Sequence, residues 1–420
     1  MTDRSPALRV MAFALAGSLG LAAPAFSDAP SSGTPLATAS ALVAERLRAM
    51  PEAASAGEAA TARYHQGLVA AAVAVHAQSR RLDRPAFAVS LEIEGRPGLV
   101  NPDNLYTAAL LADTGRYRIH GRRGSHALLS LQLLDAYPVV GLGRNLAVID
   151  LDALGIRPGQ GFEVFLGGAP REGLWFALPP GAKAVLARQT FADWQAEAAS
   201  RVEIERLDQP APAVAPEEAS ASAGDYLLSA SRTWNELYLA GLKRLPVNSL
   251  PAPRPSDAAA GGLGGQVSVM ARYRVGPGEA LVITVKDSGA PYQALQVGDP
   301  WFVTPHFVRH ASSLNRAQAS RGADGSFRFV LSLEDPGVAD WIDLAGFGEG
   351  YLFMRWQGLG RALRADEAPQ AELVPIAALR SRLPADTRRV SADERAEQLR
   401  RREAAPLEVA RRSAQGNRRR

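Results

Sequence analysis

The feature that most constrains this chain is a weak internal repeat. "FEVFLGG…GLWFALPPGAKAVLARQ" is echoed by "FRFVLSL…ADWIDLAGFGEGYLFMRW", with Phe162 matching Phe327, Trp175 matching Trp341 and Arg188 matching Arg355. The offsets are 165, 166 and 167 residues. An offset that grows slowly while the order is kept is what tandem duplication with small loop insertions produces. A further pairing sets "RYRIHGRRGSHALLSLQLL" from Arg116 against "RYRVGPGEALVITVK" from Arg272, 156 residues on. Segments in both halves are short, β-rich and bounded by Gly, Pro, Asn or Asp, the pattern of strands. No regular strand–helix alternation supports a parallel sheet. The expected fold is mainly β with appended α-helices, as two tandem antiparallel β-sandwich or jelly-roll-like lobes.

The 420 residues divide accordingly. Residues 1–27 read as a signal peptide: Arg4 and Arg9 lead, an apolar run follows from Val10 to Ala25, and small residues precede Asp28. The run is short for a membrane span, so the expectation is a soluble periplasmic or secreted protein with no transmembrane segment after cleavage. Residues 28–84 form a helical segment, read as two helices broken near Pro51, with Tyr64, Leu68, Ala71, Ala72 and Val75 as an apolar stripe. The first β lobe occupies 85–208, with a helix expected at the start of "RQTFADWQAEAASRVEIERL". Residues 209–265 are a linker carrying an amphipathic helix with Leu227, Trp234, Leu237, Tyr238 and Leu242 on one side. The second lobe spans 266–385. A basic helix and tail occupy 386–420, the helix opened by a Ser391–Glu394 capping box.

Composition narrows the chemistry. The chain has no cysteine, which excludes disulfides, thiol nucleophiles, iron–sulfur clusters and cysteine zinc sites. Of the net charge of +4, residues 388–420 carry +6, leaving −2 for the body. The tail suits an anionic surface, but it lacks interleaved aromatics, so no specific nucleic-acid partner is expected. Neither a P-loop nor a dinucleotide glycine motif is present, and no cofactor is expected.

"NPDNLY" and "YRIHGRRG", followed by "DGSFRFVLSLEDPGVADWIDLAG…YLFMRW", resemble the bacterial domain-of-unknown-function family numbered twelve-fourteen. The matching positions are Asp324, Gly325, Trp341, Arg355 and Trp356, over roughly residues 85 to 385. The chain departs at Asp340, where the family often has Asn, and at Asp343, where it often has Pro. The resemblance implies a β-sandwich-type fold with appended helices and carries no reaction or catalytic set with it.

Candidate sites follow from residue types. Arg188 and Arg355 sit on expected strands among apolar neighbours, where a guanidinium must find an anion. That anion is either an internal carboxylate or a small polar or anionic ligand, or a glycan, at a lobe mouth. Arg118, Arg122, Arg123 and Asn104 lie near the first hairpin, and Trp341 offers a flat apolar face to a sugar. The alternative is a hydrolase or lyase using His306, His310, Asp340 and Asp343 with Arg355. Ser312 could complete a nucleophile set with His310 and Asp340, although no G-x-S-x-G elbow is present. His306 and His310 have metal spacing only on a helix, which Pro305 argues against, so no metal site is assigned.

Overall fold

Among the described residues each half of the chain carries nine strands, and the two sets are wired alike. The first half holds β1 (Val89–Ser90), β2 (Asn104–Leu110), β3 (Tyr117–Arg122), β4 (Leu128–Leu134), β5 (Asn145–Asp150), β6 (Gly161–Leu166), β7 (Leu174–Phe176), β8 (Ala184–Thr190) and β9 (Arg201–Arg206). The second holds β10 (Arg254–Pro255), β11 (Gln266–Arg274), β12 (Glu279–Lys286), β13 (Tyr292–Gly298), β14 (Ser313–Asn315), β15 (Ser326–Ser332), β16 (Trp341–Asp343), β17 (Glu349–Gln357) and β18 (Gln370–Pro375). The first lobe has sheets ordered β1-β2-β8-β4-β5 and β7-β6-β3-β9; the second has β10-β11-β17-β13-β14 and β16-β15-β12-β18. Adding nine to each label converts one lobe into the other. Among the named strands only β6–β7 and β15–β16 pair in parallel. The computed structural model describes residues 33–90, 95–138, 140–141, 143–208, 221–256 and 263–416. The expected signal peptide at 1–27, linker residues 209–220 and Arg418 to Arg420 lie outside these.

Strand register tests the repeat residue by residue. Phe162 lies opposite Gly121, and Phe327 lies opposite Val285. Trp175 pairs with Phe165, and Trp341 pairs with Val330. Arg188 lies between Tyr106 and Ser130, and Arg355 between Ser268 and Ala294. The Phe, Trp and Arg matches are thus equivalent positions. The match of Arg116 to Arg272 is corrected: Arg116 leads into β3, whose counterpart is β12, whereas Arg272 lies on β11, the counterpart of β2. Alternation with period two resembles any other strand, so the short "RYR" string carries no register.

The helix expected after Arg188 is also absent. Arg188 to Thr190 close β8, a turn follows, and β9 begins at Arg201. Phe191 and Trp194 are drawn into a core with Leu105, while Asp193 and Glu197 accept backbone N–H groups within the turn. These side chains satisfy the backbone without a helix.

Each lobe is a sandwich around its own core. Ile119, Leu131, Val164 and Ala187 fill the first; Ile283, Leu295, Phe329 and Met354 fill the second. A third core lies outside both. It joins Tyr106, Ala108 and Leu186 from the first five-stranded sheet to Tyr351 and Phe353 of the second, under the helices. The two five-stranded sheets therefore cover each other's outer faces, with Thr190 Oγ1 within 3.4 Å of Gln357 Oε1 across the seam.

The N-terminal helices α1 (Leu36–Ala49), α2 (Pro51–Ala56) and α3 (Glu58–Ser79) number three rather than two, because Gly57 separates the last pair. The expected stripe on α3 is fully buried. Gly67 on that stripe faces Gly95 backbone so closely that a Cβ would sit 2.4 Å from Gly95 C. The linker helix α4 (Ala223–Ser231) starts at a Ser222–Asp225 capping box and passes into a π turn, Arg232–Tyr238. At the end of the chain, α5 (Ala392–Ala404) opens on the expected Ser391–Glu394 capping box, and α6 (Pro406–Gly416) follows. No described helix is long and apolar enough to cross a membrane.

Candidate functional site

The duplicated arginines lie at the seam between the lobes, near enough for the Arg188 charge to act on Arg355. Arg188 donates from Nε to Gln132 Oε1 at 2.8 Å, and its guanidinium lies 5.0 Å from the centre of the Tyr106 ring. Arg355 donates from Nη1 to Gln296 Oε1 and from Nη2 to the Leu99 carbonyl, over the Phe353 ring at 3.7 Å. Gln132 pairs with Leu186 on β8 and Gln296 with Phe353 on β17, so the glutamines are equivalent too. The internal carboxylate expected for a strand arginine is therefore replaced in both lobes by a glutamine carbonyl. Among the described residues no carboxylate pairs with either guanidinium.

Electrostatics ties the pair together. Arg355 is 5% exposed, and burial lowers its pKa; the Arg188 charge lowers it further, while Tyr292, Tyr106 and Asp103 oppose. A buried cation with a second, half-buried cation acting on it favours a further anion at the seam. The surroundings are also strained. Leu99 and Phe302 have φ of 47° and 60°, and the Phe302 carbonyl accepts the N–H groups of Gly98 and Leu99. Tyr238, from the π turn, packs on Phe302 at 5.4 Å, and burial pushes its phenol up to about 12. π turns and left-handed non-glycine residues concentrate at functional sites.

Beside this pair, the "NPDNLY" segment is a buried hub. Asp103 is fully buried and accepts from Trp194 Nε1 at 2.7 Å, Tyr292 Oη at 2.7 Å and Asn315 Nδ2 at 2.9 Å. Burial raises its carboxyl pKa; the three donors and the nearby Arg402 oppose that rise. Asn101 Nδ2 donates to the same Tyr292 oxygen. Asn104 Nδ2 donates to Tyr106 Oη at 2.7 Å, fixing the ring beneath Arg188.

The remaining candidates are placed elsewhere or committed. His310 Nδ1 lies 2.7 Å from Asp343 Oδ2, but Asp340 is turned away, accepting the Ser320 N–H in a cleft beside Arg321, Arg328 and Arg388. Burial pushes the Asp340 carboxyl up to about 6. His306 is exposed on a turn whose carbonyl accepts from Arg309 and His310, and buried Ser312 bonds to neither His310 nor Asp340. The four acid–base candidates are not brought into one constellation. Among the described residues no group of three metal-ligating side chains forms. Arg118 is bridged to Glu163 and Glu205, Arg123 is buried against Asp152, and Arg122 is exposed at a strand end. Trp341 is core, and its indole donates to the Ser332 carbonyl; Trp175 donates to the equivalent Gly167 carbonyl. A shallow groove of about 600 Å³ passes Arg116, Phe165, Arg171 and Leu207, and neither it nor the Asp340 cleft touches the arginine pair.

Sequence reasoning found Arg188, Arg355 and the segment holding Asp103 and Tyr106 but missed Gln132 and Gln296. A polar residue inside an apolar strand, as in "LSLQLL" and "YQALQV", was the available signal.

No family model and no curated protein matches the chain. Among solved structures, an uncharacterized protein from Burkholderia cenocepacia is 26% identical, with 82% of this chain and 96% of that one covered and a TM-score of 0.70. A Vibrio parahaemolyticus protein is 12% identical, with 80% and 100% covered and a TM-score of 0.44. The Burkholderia likeness extends across both lobes and shows that this β-rich architecture is shared with an uncharacterized bacterial protein.

Proposed function

We propose that this chain is an exported protein that binds a small anionic ligand in the seam between its lobes, held by Arg188 and Arg355. We further propose that it belongs with the domain-of-unknown-function family numbered twelve-fourteen, on the motif positions given above. One observation carries the binding reading: equivalent guanidiniums from the two lobes are backed by glutamines and aromatic rings, without a carboxylate. Glutamine carbonyls orient a guanidinium without neutralising it, so its charge stays available. A carboxylate, sulfate or phosphate supplies the missing countercharge through short charge-assisted hydrogen bonds. The export part rests on the layout of residues 1–27.

A hydrolase or lyase reading draws on the His310–Asp343 contact alone, since a carboxylate at Nδ1 orients an imidazole for proton transfer. Arg355 makes no contact with that pair.

Thermal unfolding with inorganic phosphate, sulfate, acetate or glucose tests the proposal. A ligand at a hundred times its Kd stabilises by about 2.7 kcal/mol. The expected result is a raised Tm with at least one anion and none with glucose. The shift disappears in Arg188→Gln and persists in Arg122→Gln, an exposed control. No stabilisation by any of the three anions overturns the proposal.

A further inference from the structure

The C-terminal helices cross the seam beside the arginine pair. Arg395 anchors α5 to the second lobe, pairing with Asp335 at 2.9 Å over the Trp341 ring. Arg402 donates from Nε to the Phe307 carbonyl and from Nη1 and Nη2 to Ser313 of that lobe, yet its guanidinium stacks on Trp194 of the first lobe at 4.4 Å. Arg411 does the converse: it donates to the Pro102 and Asn104 carbonyls of the first lobe and stacks on Phe307 of the second at 4.6 Å. Ala405 and Leu407 complete the contact in a small core with Leu105, Phe191 and Trp194. Both arginines are nearly buried, so this part of the basic tail is committed to the fold rather than to an outside surface.

We propose that α5 and α6 form a releasable strap that holds the seam shut and sets access to Arg355. The inference rests on the anion-binding reading. With Arg355 5% exposed, a ligand reaches it only when the strap end of the seam opens locally, and that opening breaks the contacts of Arg402 and Arg411 to one lobe or the other. The strap is built for such release. Its seam-crossing contacts are hydrogen bonds to backbone and stacked cations around a five-residue core, not a continuous apolar face.

The test compares the mature full chain with Arg402→Gln/Arg411→Gln by hydrogen exchange and by titration with inorganic phosphate, sulfate and acetate. Expected are faster exchange at residues 102–106 and 292–296, unchanged exchange in the inner strands around Ile119 and Ile283, and phosphate binding tightened about tenfold. Linkage gives a second arm that needs no variant: phosphate speeds exchange of α6 in the unmodified chain. Unchanged exchange in both arms overturns the strap. Faster exchange with unchanged phosphate affinity overturns it as a gate. Binding of phosphate, sulfate and acetate to neither chain, despite faster exchange in the variant, overturns the anion reading and the gate that depends on it.

Discussion

Asp135 and Asp299 occupy the same place in the two lobes, one residue beyond β4 and β13, and they have come to opposite states. Asp135 is held by Arg144, with Nε at 2.6 Å and the Arg144 backbone N–H at 2.7 Å, at the surface. Asp299 is 5% exposed and accepts only the backbone N–H groups of Trp301 and Val303. Burial pushes its carboxyl up to about 7, against the opposing pull of those two hydrogen bonds and of Arg63. The difference follows from position: the Asp299 turn lies under the helices, where Trp301 stacks on Tyr64 at 4.8 Å. Duplication supplied identical frames, and the packing of each outer face then decided what each inherited side chain does.

This contrast has a pH signature, the largest effect expected. The folded Asp299 carboxyl holds its proton more tightly than the unfolded one, whose value is 3.8. Its contribution to stability is full below about pH 4 and is lost as pH rises to about 7, a change of about 4 kcal/mol. Asp299→Asn flattens that limb in urea denaturation followed across the range. Asp135→Asn loses a surface ion pair and costs under about 1 kcal/mol. The first lobe carries the opposite sign. Burial, then the Arg123 charge, brings His126 down to about 3. Its contribution is present above about pH 6.5 and fades as pH falls toward 3. Protection against hydrogen exchange, corrected for intrinsic rate, should therefore fall first near His126 and Ser200 on acidification. Equal loss in both lobes would break the contrast.

Gly121 and Val285 sharpen it next. In the first lobe β3 is flanked by β6 and β9 along its length, and a Cβ on Gly121 would sit 1.9 Å from the Arg201 carbonyl. In the second lobe β18 stops opposite Thr284, which leaves Val285 room. Gly121→Val therefore costs about 3 kcal/mol or more, and Val285→Gly, which empties a filled core position, about 2 kcal/mol. Equilibrium unfolding of the two variants reads both. A tolerated Gly121→Val would mean that β9 is free to shift.

Much of this frame was legible in the sequence, because large anchors such as Phe162, Trp175 and Arg188 survive duplication and carry register. The seam was not. Arg188 and Arg355 announced themselves as cations among apolar residues, but their glutamine partners read as ordinary strand positions. Arg402 read as part of a solvated basic helix because burial depends on Trp194 and on Phe307, 95 residues away in sequence. Hydrophobic periodicity reports which face of an element is buried; it says nothing about which faces of two finished lobes will meet.

The glutamines give a smaller, more discriminating comparison. Gln296→Ala leaves the buried Arg355 with the Leu99 carbonyl alone and costs about 2 kcal/mol. Gln132→Ala leaves the half-buried Arg188 with solvent as a substitute partner and costs about 1 kcal/mol. Matching losses in urea midpoints would show that the two guanidiniums are equally wet, against the burial described above.

The smallest difference is expected at the tryptophans, where the lobes have diverged least. Each indole closes the parallel edge of its sandwich by donating to a carbonyl at the same point of the repeat, Gly167 at 3.0 Å and Ser332 at 3.3 Å. Phe removes that donor and leaves a carbonyl short of one partner, buried at Ser332 and half-buried at Gly167, for about 1 kcal/mol or less in each lobe. Trp341 is also covered by Arg395 at 5.2 Å and packed among Val330, Val338 and Leu379, so Trp341→Phe additionally loses buried area. Trp175 is half-buried and loses less. Trp341→Phe should exceed Trp175→Phe by about 0.5–1 kcal/mol in equilibrium unfolding. Because Arg395 anchors the strap, Trp341→Phe should also loosen α5 in hydrogen exchange, which Trp175→Phe has no route to do.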